Sequence, residues 1–341
     1  MSRQMLVLAG FGNVGQAVAE LIAEEHPAAD RLGICGVADP RFGSVVDPDG
    51  IDPHQILAAA RDDGSFAAVP GSSAAGDVFD AIDRSEADTL VELTFTDLET
   101  GEPATSHIRH ALSNGMNVST TNKGPIALHL EELEKHASEN DAVLAYEGTV
   151  MSGTPALLVA AESIRSAGFH GLTGILNGTT NHVITRMEEG ASYEAALVEA
   201  QELGYAEADP SGDVDGHDVA GKVSILARVL TDSTIHPSDV ERVPLRILSP
   251  KDIGSAADDG RVWRYLAVLE PTGSGWSGKV EPRLIGETHP LASVTGATNA
   301  VTFTTELLGE VTLSGPGAGR VETAYSVLND LARISAARRA Q

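Results

Sequence analysis

Residues 5–25 read MLVLAGFGNVGQAVAELIAEE. Met5 to Ala9 is a short apolar run, and glycines stand at 10, 12 and 15. An amphipathic run follows from Val14. Strand, glycine turn and helix in that order make a dinucleotide-binding fingerprint. Gly10 permits the tight turn. Gly12 lets a pyrophosphate approach backbone N–H groups of the Phe11, Asn13 and Val14 turn. Gly15 lets the helix pack on the strand. The plain alternative is a tight βα turn without a ligand, but the strand–helix setting favours nucleotide binding.

Outward from this unit the alternation continues. A second strand, Ile34 to Ala38, ends in Asp39. An acid there accepts a hydrogen bond from the adenosine ribose 2′-OH and favours NAD. Arg41, two residues on, pairs instead with a 2′-phosphate in an NADP enzyme. A third reading has Asp39 simply capping the turn at Pro40. These three stay open. Residues 43–75 are rich in Asp, Gly and Pro, and read as a surface insert with one helix, Pro53 to Arg61. Thr89 to Leu93 is a strand, followed by a helix with Pro103 in its first turn and Gly115 at its stop. The strand MNVST (116–120) runs into Asn122 and Lys123. A helix from Ile126 to Glu139 and a strand from Ala142 to Tyr146 follow. The pattern implies a parallel sheet with helices on both faces.

A chain of 341 residues is long enough for two cores. Its net charge is −26, with only five lysines against eighteen arginines. Such a surface stays soluble where salt screens its self-repulsion, so it reads as adaptation to high salt. It offers no basic face for nucleic acid. The single cysteine, Cys35, excludes an intrachain disulfide and sits in a strand as a packed thiol. No signal peptide is apparent, and no apolar run approaches a membrane span of about 20 residues. A soluble cytoplasmic protein is expected.

A second stretch concentrates the charge. Residues 171–187 read GLTGILNGTTNHVITRM and residues 203–222 read LGYAEADPSGDVDGHDVAGK. The Asn177-Gly178-Thr179 start of the NGTTN turn presents amides and hydroxyls to a ligand. Glu207, Asp209, Asp213, Asp215, Asp218 and Lys222 fall within sixteen residues. Pro210, Gly212 and Gly216 make this a loop, and a helix follows from Gly216. On that helix Asp218 and Lys222 stand four apart, with the carboxylate on the N-terminal side, the favourable order. A solvated acidic loop is the ordinary reading of such a cluster. A calcium loop starting at Ser211 fails, because its twelfth position needs a bidentate Glu and holds Lys222. A lone lysine among carboxylates, beside a ligand-presenting turn, argues for a site.

These two segments resemble the signature of homoserine dehydrogenases. The resemblance covers nearly the whole chain. It is strongest over 101–155 and 174–222 and weakest over 41–88. It implies NAD(P)-linked interconversion of L-homoserine and aspartate 4-semialdehyde, in threonine and methionine biosynthesis. By position, Glu207 and Asp213 hold the substrate's amino end, and Asp218 and Lys222 sit at the reacting carbon. Lys123 lies between nicotinamide and substrate, although Gly124 replaces a second lysine usual in the family. Glu147 and the carbonyls of Val150, Ser152 and Thr154 are implied ligands of a monovalent cation, usually sodium. Met151 and Ser152 stand there where the family more often has glycines. The last helix, opening after Gly319, returns to the nucleotide domain with its N-terminus near the cofactor, and a helix start favours an anion on physical grounds alone.

The implied architecture is a Rossmann-like doubly wound domain, residues 1–150 with 310–341. An α+β substrate and dimerisation domain, 151–309, carries an open mixed sheet with helices on one face. A homodimer and a short form without kinase or regulatory domain are expected. Two rivals remain: another amino-acid dehydrogenase on this scaffold, and a dinucleotide-binding sensor without catalysis.

Overall fold

The computed structural model describes residues 3–340. The chain divides into two units, Met1–Gly153 with Gly319–Gln341, and Thr154–Ala318.

In the first unit β1 (Gln4–Ala9) runs into α1 (Asn13–Ala23). Next come β2 (Leu32–Asp39), β3 (Gly43–Ile51), α2 (Pro53–Ala58), β4 (Ser73–Ala75) and α3 (Val78–Arg84). They are followed by β5 (Thr89–Glu92), α4 (Ala104–Ser113), β6 (Asn117–Thr120), α5 (Lys123–Glu139) and β7 (Leu144–Ala145). The strands form one sheet in the order β4-β3-β2-β1-β5-β6-β7. From β2 to β7 all pairings are parallel. Because β2 lies on one side of β1 and β5 on the other, the strand order reverses there. The C-terminal ends of β1 and β5 therefore flank the switch point at which such sheets bind dinucleotides.

Residues alternate along β1. Leu6 and Leu8 join Ile34 and Val37 in one core, while Val7 and Ala9 join Ala38 and Leu90 in the other. Burial on both faces is what a parallel sheet flanked by helices requires. Truncating Leu8 to Ala would cost roughly 2–5 kcal/mol.

Residues 43–75 are not a surface insert. β3 pairs antiparallel with β2, and β4 with β3, widening the sheet. Val45, Val46 and Ile51 are buried, and so are Ile56, Phe66 and Val69. Few apolar residues anchor this segment, so the Asp, Gly and Pro around them hide the strand. The helix there ends at Ala58 and runs into a wider turn closed by Gly64 at φ +62°.

The second unit begins with α6 (Ala156–Val159), β8 (Phe169–Ile175), α7 (Gly178–Glu188), α8 (Tyr193–Glu202), α9 (Ser211–Val214) and α10 (His217–Thr231). It ends with β9 (Glu241–Arg242), α11 (Pro250–Asp258), β10 (Arg261–Thr272), β11 (Gly275–Gly286), β12 (Thr298–Thr305) and β13 (Gly309–Pro316). The sheet order is β13-β12-β8-β10-β11-β9, antiparallel except for β9 with β11. Helices α7, α10 and α11 pack against it. Residues 310–318, expected with the nucleotide domain, instead carry β13, which pairs along its length with β12. The final helix, α12 (Arg320–Ala340), belongs to the first unit.

Candidate active site

In the second unit, strand β8 delivers Leu176 and Asn177 to the start of α7. The NGTTN segment is a helix cap rather than a free turn. Asn177 Oδ1 accepts the Thr180 N–H at 2.9 Å and the Thr180 hydroxyl at 3.1 Å, the role asparagine favours at an N-cap. Its other amide atom is then directed elsewhere. Asn177 Nδ2 donates to Asp213 Oδ1 at 2.6 Å and to Asp218 Oδ2 at 3.1 Å. Gly178 is required by crowding, since a Cβ there would stand 2.9 Å from the Ala297 carbonyl oxygen. Thr179 Oγ1 donates to the Tyr205 carbonyl at 2.6 Å and ties α7 to the acidic segment. That segment is not wholly loop: α9 makes one helical turn at Ser211–Val214.

Helix α10 starts after Gly216, whose φ of +81° lets the chain turn sharply. Asp218 and Lys222 then lie one turn apart, and Lys222 Nζ donates to Asp218 Oδ2 at 2.7 Å. Lys222 Nζ also donates to the Leu176 carbonyl at 2.6 Å, and the residue is only 7% exposed. An ammonium has three N–H donors. Two are taken, and the third has no acceptor among the described residues. Asp213 is half-buried. Burial first, and the Asp218 charge after it, push its carboxyl above the usual range, against the pull of Asn177, Lys222 and Thr179. The sequence-predicted Asn177, Thr179, Asp213, Asp218 and Lys222 are thus brought together. Glu207 is not: it is exposed, and its backbone carbonyl accepts from Gln201 Nε2 at 3.0 Å.

In the first unit the glycine turn is built as its spacing requires. Gly10 has φ +97°, and a Cβ there would stand 2.7 Å from the Leu93 carbonyl oxygen. A Cβ on Gly15 would meet the Gly10 carbonyl oxygen at 2.5 Å. At Gly12 the nearest atom to such a Cβ is Arg41 Nη2 at 3.8 Å, so the backbone there is open to close approach. Asn13 and Val14 start α1, with Asn13 exposed. Phe11 is buried, edge-on to Phe66 at 5.4 Å between ring centroids.

Asp39 both caps its own turn and holds this loop. Its Oδ2 accepts the Phe11 N–H at 2.7 Å, and its Oδ1 accepts the Arg41 N–H at 2.9 Å and Arg41 Nε at 3.2 Å. Burial works to raise its carboxyl, but the Arg41 guanidinium and the two backbone N–H groups outweigh it and hold it below the usual range. Lys123 is half-buried at the first position of α5, three residues earlier than the helix start read from sequence. Asn122 caps that helix, its Oδ1 accepting the Gly124 N–H at 3.1 Å.

Gly319 has φ +140°, and its carbonyl accepts the Thr323 N–H at 3.0 Å and the Thr323 hydroxyl at 2.6 Å at the start of α12. Of the predicted cation ligands, Glu147, Val150 and Ser152 are buried in the first unit, while Thr154 belongs to the second. Met151 and Ser152 have φ +58° and +51°, the left-handed region that glycine enters freely. Among the described residues no group of three or more His, Cys, Asp or Glu could hold a metal ion. A monovalent-cation site of one carboxylate and several carbonyls is a different construction.

Three groups escaped the sequence reading: the Leu176 carbonyl that holds Lys222, and two acids buried in the first unit, Glu92 and Asp330. A backbone acceptor leaves no sequence signal. Glu92 did leave one, an acid inside the apolar run TLVEL.

A homoserine dehydrogenase family profile matches residues 155–332. An "NAD(+)-dependent homoserine dehydrogenase" of Pseudomonas canavaninivorans is 45% identical over 98% of this chain and 97% of its own. Among solved structures, a putative homoserine dehydrogenase of Archaeoglobus fulgidus superposes with a TM-score of 0.87 at 33% identity, covering 98% of this chain and 99% of its own. A hyperthermophilic archaeal homoserine dehydrogenase in complex with NADPH superposes at 0.84 and 29% identity, covering 98% of each chain. Match, identity and coverage together place the chain in the homoserine dehydrogenase family.

Proposed function

We propose that Lys222 acts at the reacting carbon in the NAD(P)-linked interconversion of L-homoserine and L-aspartate 4-semialdehyde, a step of threonine and methionine biosynthesis. The observation that carries this is the third N–H of a buried ammonium whose other two are held by Leu176 and Asp218. Reducing the aldehyde makes an alkoxide, and a fixed donor beside it stabilises that charge and relays the proton. Asp218 orients Lys222. Asp213 supplies negative charge for the substrate's ammonium, and Asn177, Gly178 and Thr179 shape the wall; a role for the exposed Glu207 rests on the family resemblance alone. In the oxidising direction the lysine must start as the neutral amine, which takes the hydroxyl proton and becomes the ammonium. The nicotinamide, when bound, supplies the hydride chemistry. Phe11, Gly12 and Asn13 would cradle its pyrophosphate, Gly319 lies at the anion-favouring start of α12, and Lys123 lines the nicotinamide side.

NAD is the proposed preference. Asp39 ends β2 where a ribose acceptor belongs, and the relative that is 45% identical carries the name NAD(+)-dependent. For sodium, the donor set fits. Glu147 is buried, and Asp330 beside it is pushed up to about 7, by burial first and by the Glu147 charge second. Asp330 Oδ1 is also buried without a hydrogen bond. Buried negative charge of this kind suits a monovalent cation held by Glu147, Val150 and Ser152. A homodimer through the second sheet is supported by exposed Leu307 and Leu308 at the turn after β12. The net charge of −26 supports adaptation to high salt. A cytoplasmic place is supported by the described helices, none of which is long and apolar enough to cross a membrane.

The test is absorbance at the reduced-nicotinamide band with homoserine and each cofactor, in low and molar salt. Cofactor binding without homoserine turnover would overturn the assignment and leave a sensor. Turnover of a different amino-acid substrate alone would leave the rival dehydrogenase.

A further inference from the structure

Glu92 is the last residue of β5, and no part of it is exposed. It cannot touch substrate or cofactor, yet its carboxylate ties together the loops that leave β5 and β6. The Thr94 N–H donates to Glu92 Oε1 at 3.2 Å, and the Thr94 hydroxyl bonds the same oxygen. The Thr120 hydroxyl, at the end of β6, is shared between the Glu92 carbonyl at 3.2 Å and Glu92 Oε2 at 3.3 Å. Thr120 in turn accepts the Asn122 N–H at 3.0 Å. Asn122 Nδ2 closes the circuit by donating to the Thr94 carbonyl at 3.3 Å and the Phe95 carbonyl at 2.8 Å. Asn122 Oδ1 caps α5, and Lys123 follows it directly.

The same acid borders the glycine turn. Leu93, between Glu92 and Thr94, places its carbonyl oxygen where a Cβ on Gly10 would lie only 2.7 Å away. Burying a carboxylate costs several kcal/mol unless it is paired and hydrogen-bonded. Among the described residues no Arg or Lys pairs with Glu92. The nearest basic group is His107 on α4, itself 5% exposed, whose Nδ1 stands 3.6 Å from Glu92 Oε1 and makes no hydrogen bond. A mere sheet filler would be apolar. A buried acid with three acceptor contacts and its own histidine is a fixing point.

We infer that Glu92, with His107 packed beside it, is the positioning residue for the nicotinamide side of the site, setting the Leu93–Phe95 loop and the Asn122–Lys123 cap. The part concerning Lys123 rests on the proposed role of that residue. The part concerning Gly10 and Leu93 does not.

The test uses the whole enzyme with Glu92→Gln, which keeps the shape and one acceptor oxygen, and with His107→Asn. Measured quantities are the NAD(H) dissociation constant by titration, kcat, both KM values and the melting temperature. The expected result for Glu92→Gln is cofactor affinity and kcat each lower by roughly tenfold or more, since small misplacements of a site cost up to about a hundredfold. Homoserine KM stays within about twofold, and the protein stays folded. His107→Asn gives the same pattern more weakly. If a folded Glu92→Gln enzyme keeps wild-type cofactor affinity and kcat, the inference is wrong. A lower melting temperature with unchanged kinetics in the folded fraction overturns it equally, and assigns Glu92 to stability alone. Lys123→Ala, measured alongside, separates the two readings. Normal turnover there, with Glu92→Gln impaired in NAD(H) binding, removes Lys123 and leaves Glu92 acting through the glycine turn. The converse removes Glu92 only.

Discussion

Asn177 Nδ2 donates to Asp213 Oδ1 at 2.6 Å and holds Asp218 Oδ2 at 3.1 Å with the same nitrogen. One amide thus spaces two carboxylates that would otherwise repel, while its oxygen caps α7. The two roles are separable. Asn177→Ser keeps an N-cap oxygen and loses the bridge, so stability should change by no more than about 1 kcal/mol. Turnover should fall roughly tenfold or more, because Asp213 and Asp218 lose their fixed separation. Thermal melts and steady-state kinetics on this one variant decide it. A large stability loss with normal turnover would make Asn177 a cap and nothing else.

Asp213 sets a pH dependence. Its carboxyl is raised above the ordinary range by burial and by Asp218. A raised acid favours the folded state at low pH, and that contribution is lost as pH rises from the ordinary carboxylate range through the raised value. Substrate binding runs the other way, since only the ionised form attracts the homoserine ammonium. Homoserine KM should therefore climb as pH falls through the raised value. In Asp213→Asn, KM should be high throughout and that limb should flatten. An identical acid limb in the variant would mean that another group titrates.

The sequence made the glycine turn and the Asp218–Lys222 pair plain and concealed much of the rest. GFGNVG is a local backbone instruction, so Gly10 and Gly15 could be read from spacing alone and are sterically required in the fold. Asp218 and Lys222 were legible for the same reason, as one turn of one helix fixes their contact. Glu207 had no such constraint. Its place among the ligands came from resemblance, and the structure leaves it exposed. Asp330 and Glu92 depend on contacts across the fold, such as Ser119 Oγ to Asp330 Oδ2 at 3.2 Å over 211 residues. Periodicity cannot report a pairing that distant. β3 was missed because its neighbour β2, not its own composition, makes it a strand.

Cofactor choice should respond to Asp39 and Arg41 in opposite directions. A carboxylate offers about four acceptor sites, and those of Asp39 are occupied by Phe11 and Arg41. A ribose hydroxyl must displace one of them. The Arg41 side chain is 60% exposed and Asp39 only 5%, so the guanidinium is the group that yields. Asp39→Gly should weaken NAD binding by about tenfold, on the scale of one charged hydrogen bond, and relatively favour NADP. Arg41→Ala should instead lower NADP affinity and spare NAD. Titration of each variant with both cofactors checks this. Unchanged NAD affinity in Asp39→Gly would remove Asp39 from the ribose site.

The charge of −26 predicts a salt response. Several ion pairs, such as Arg84 with Asp80, are exposed and weaken in salt. Net self-repulsion weakens as well, and with 49 acidic against 23 basic residues it is the larger effect. The unfolding midpoint should rise from dilute buffer to molar KCl. A flat or falling midpoint would show that the acidic surface is not an adaptation of this kind.

Lys222 gives the sharpest test. Its pair with Asp218 is largely buried, at 8% and 18% side-chain exposure, so breaking it costs more than a surface bridge, about 3–5 kcal/mol. Stability alone therefore cannot separate a structural from a catalytic lysine, as both readings predict a loss. Turnover can. A lysine that only pairs with Asp218 would leave the folded fraction of Lys222→Ala active. A lysine whose remaining N–H serves the alkoxide would leave it folded and slow, with kcat down by roughly two or more orders of magnitude. Homoserine KM should shift less, because Asp213 and Asn177 still stand in place. Cofactor titration should be unchanged, since the glycine turn lies in the other unit. Circular dichroism fixes the folded fraction, and molar salt is the condition in which to measure it. Near-normal turnover in a folded Lys222→Ala enzyme would refute the mechanism and make Lys123 the next group to test.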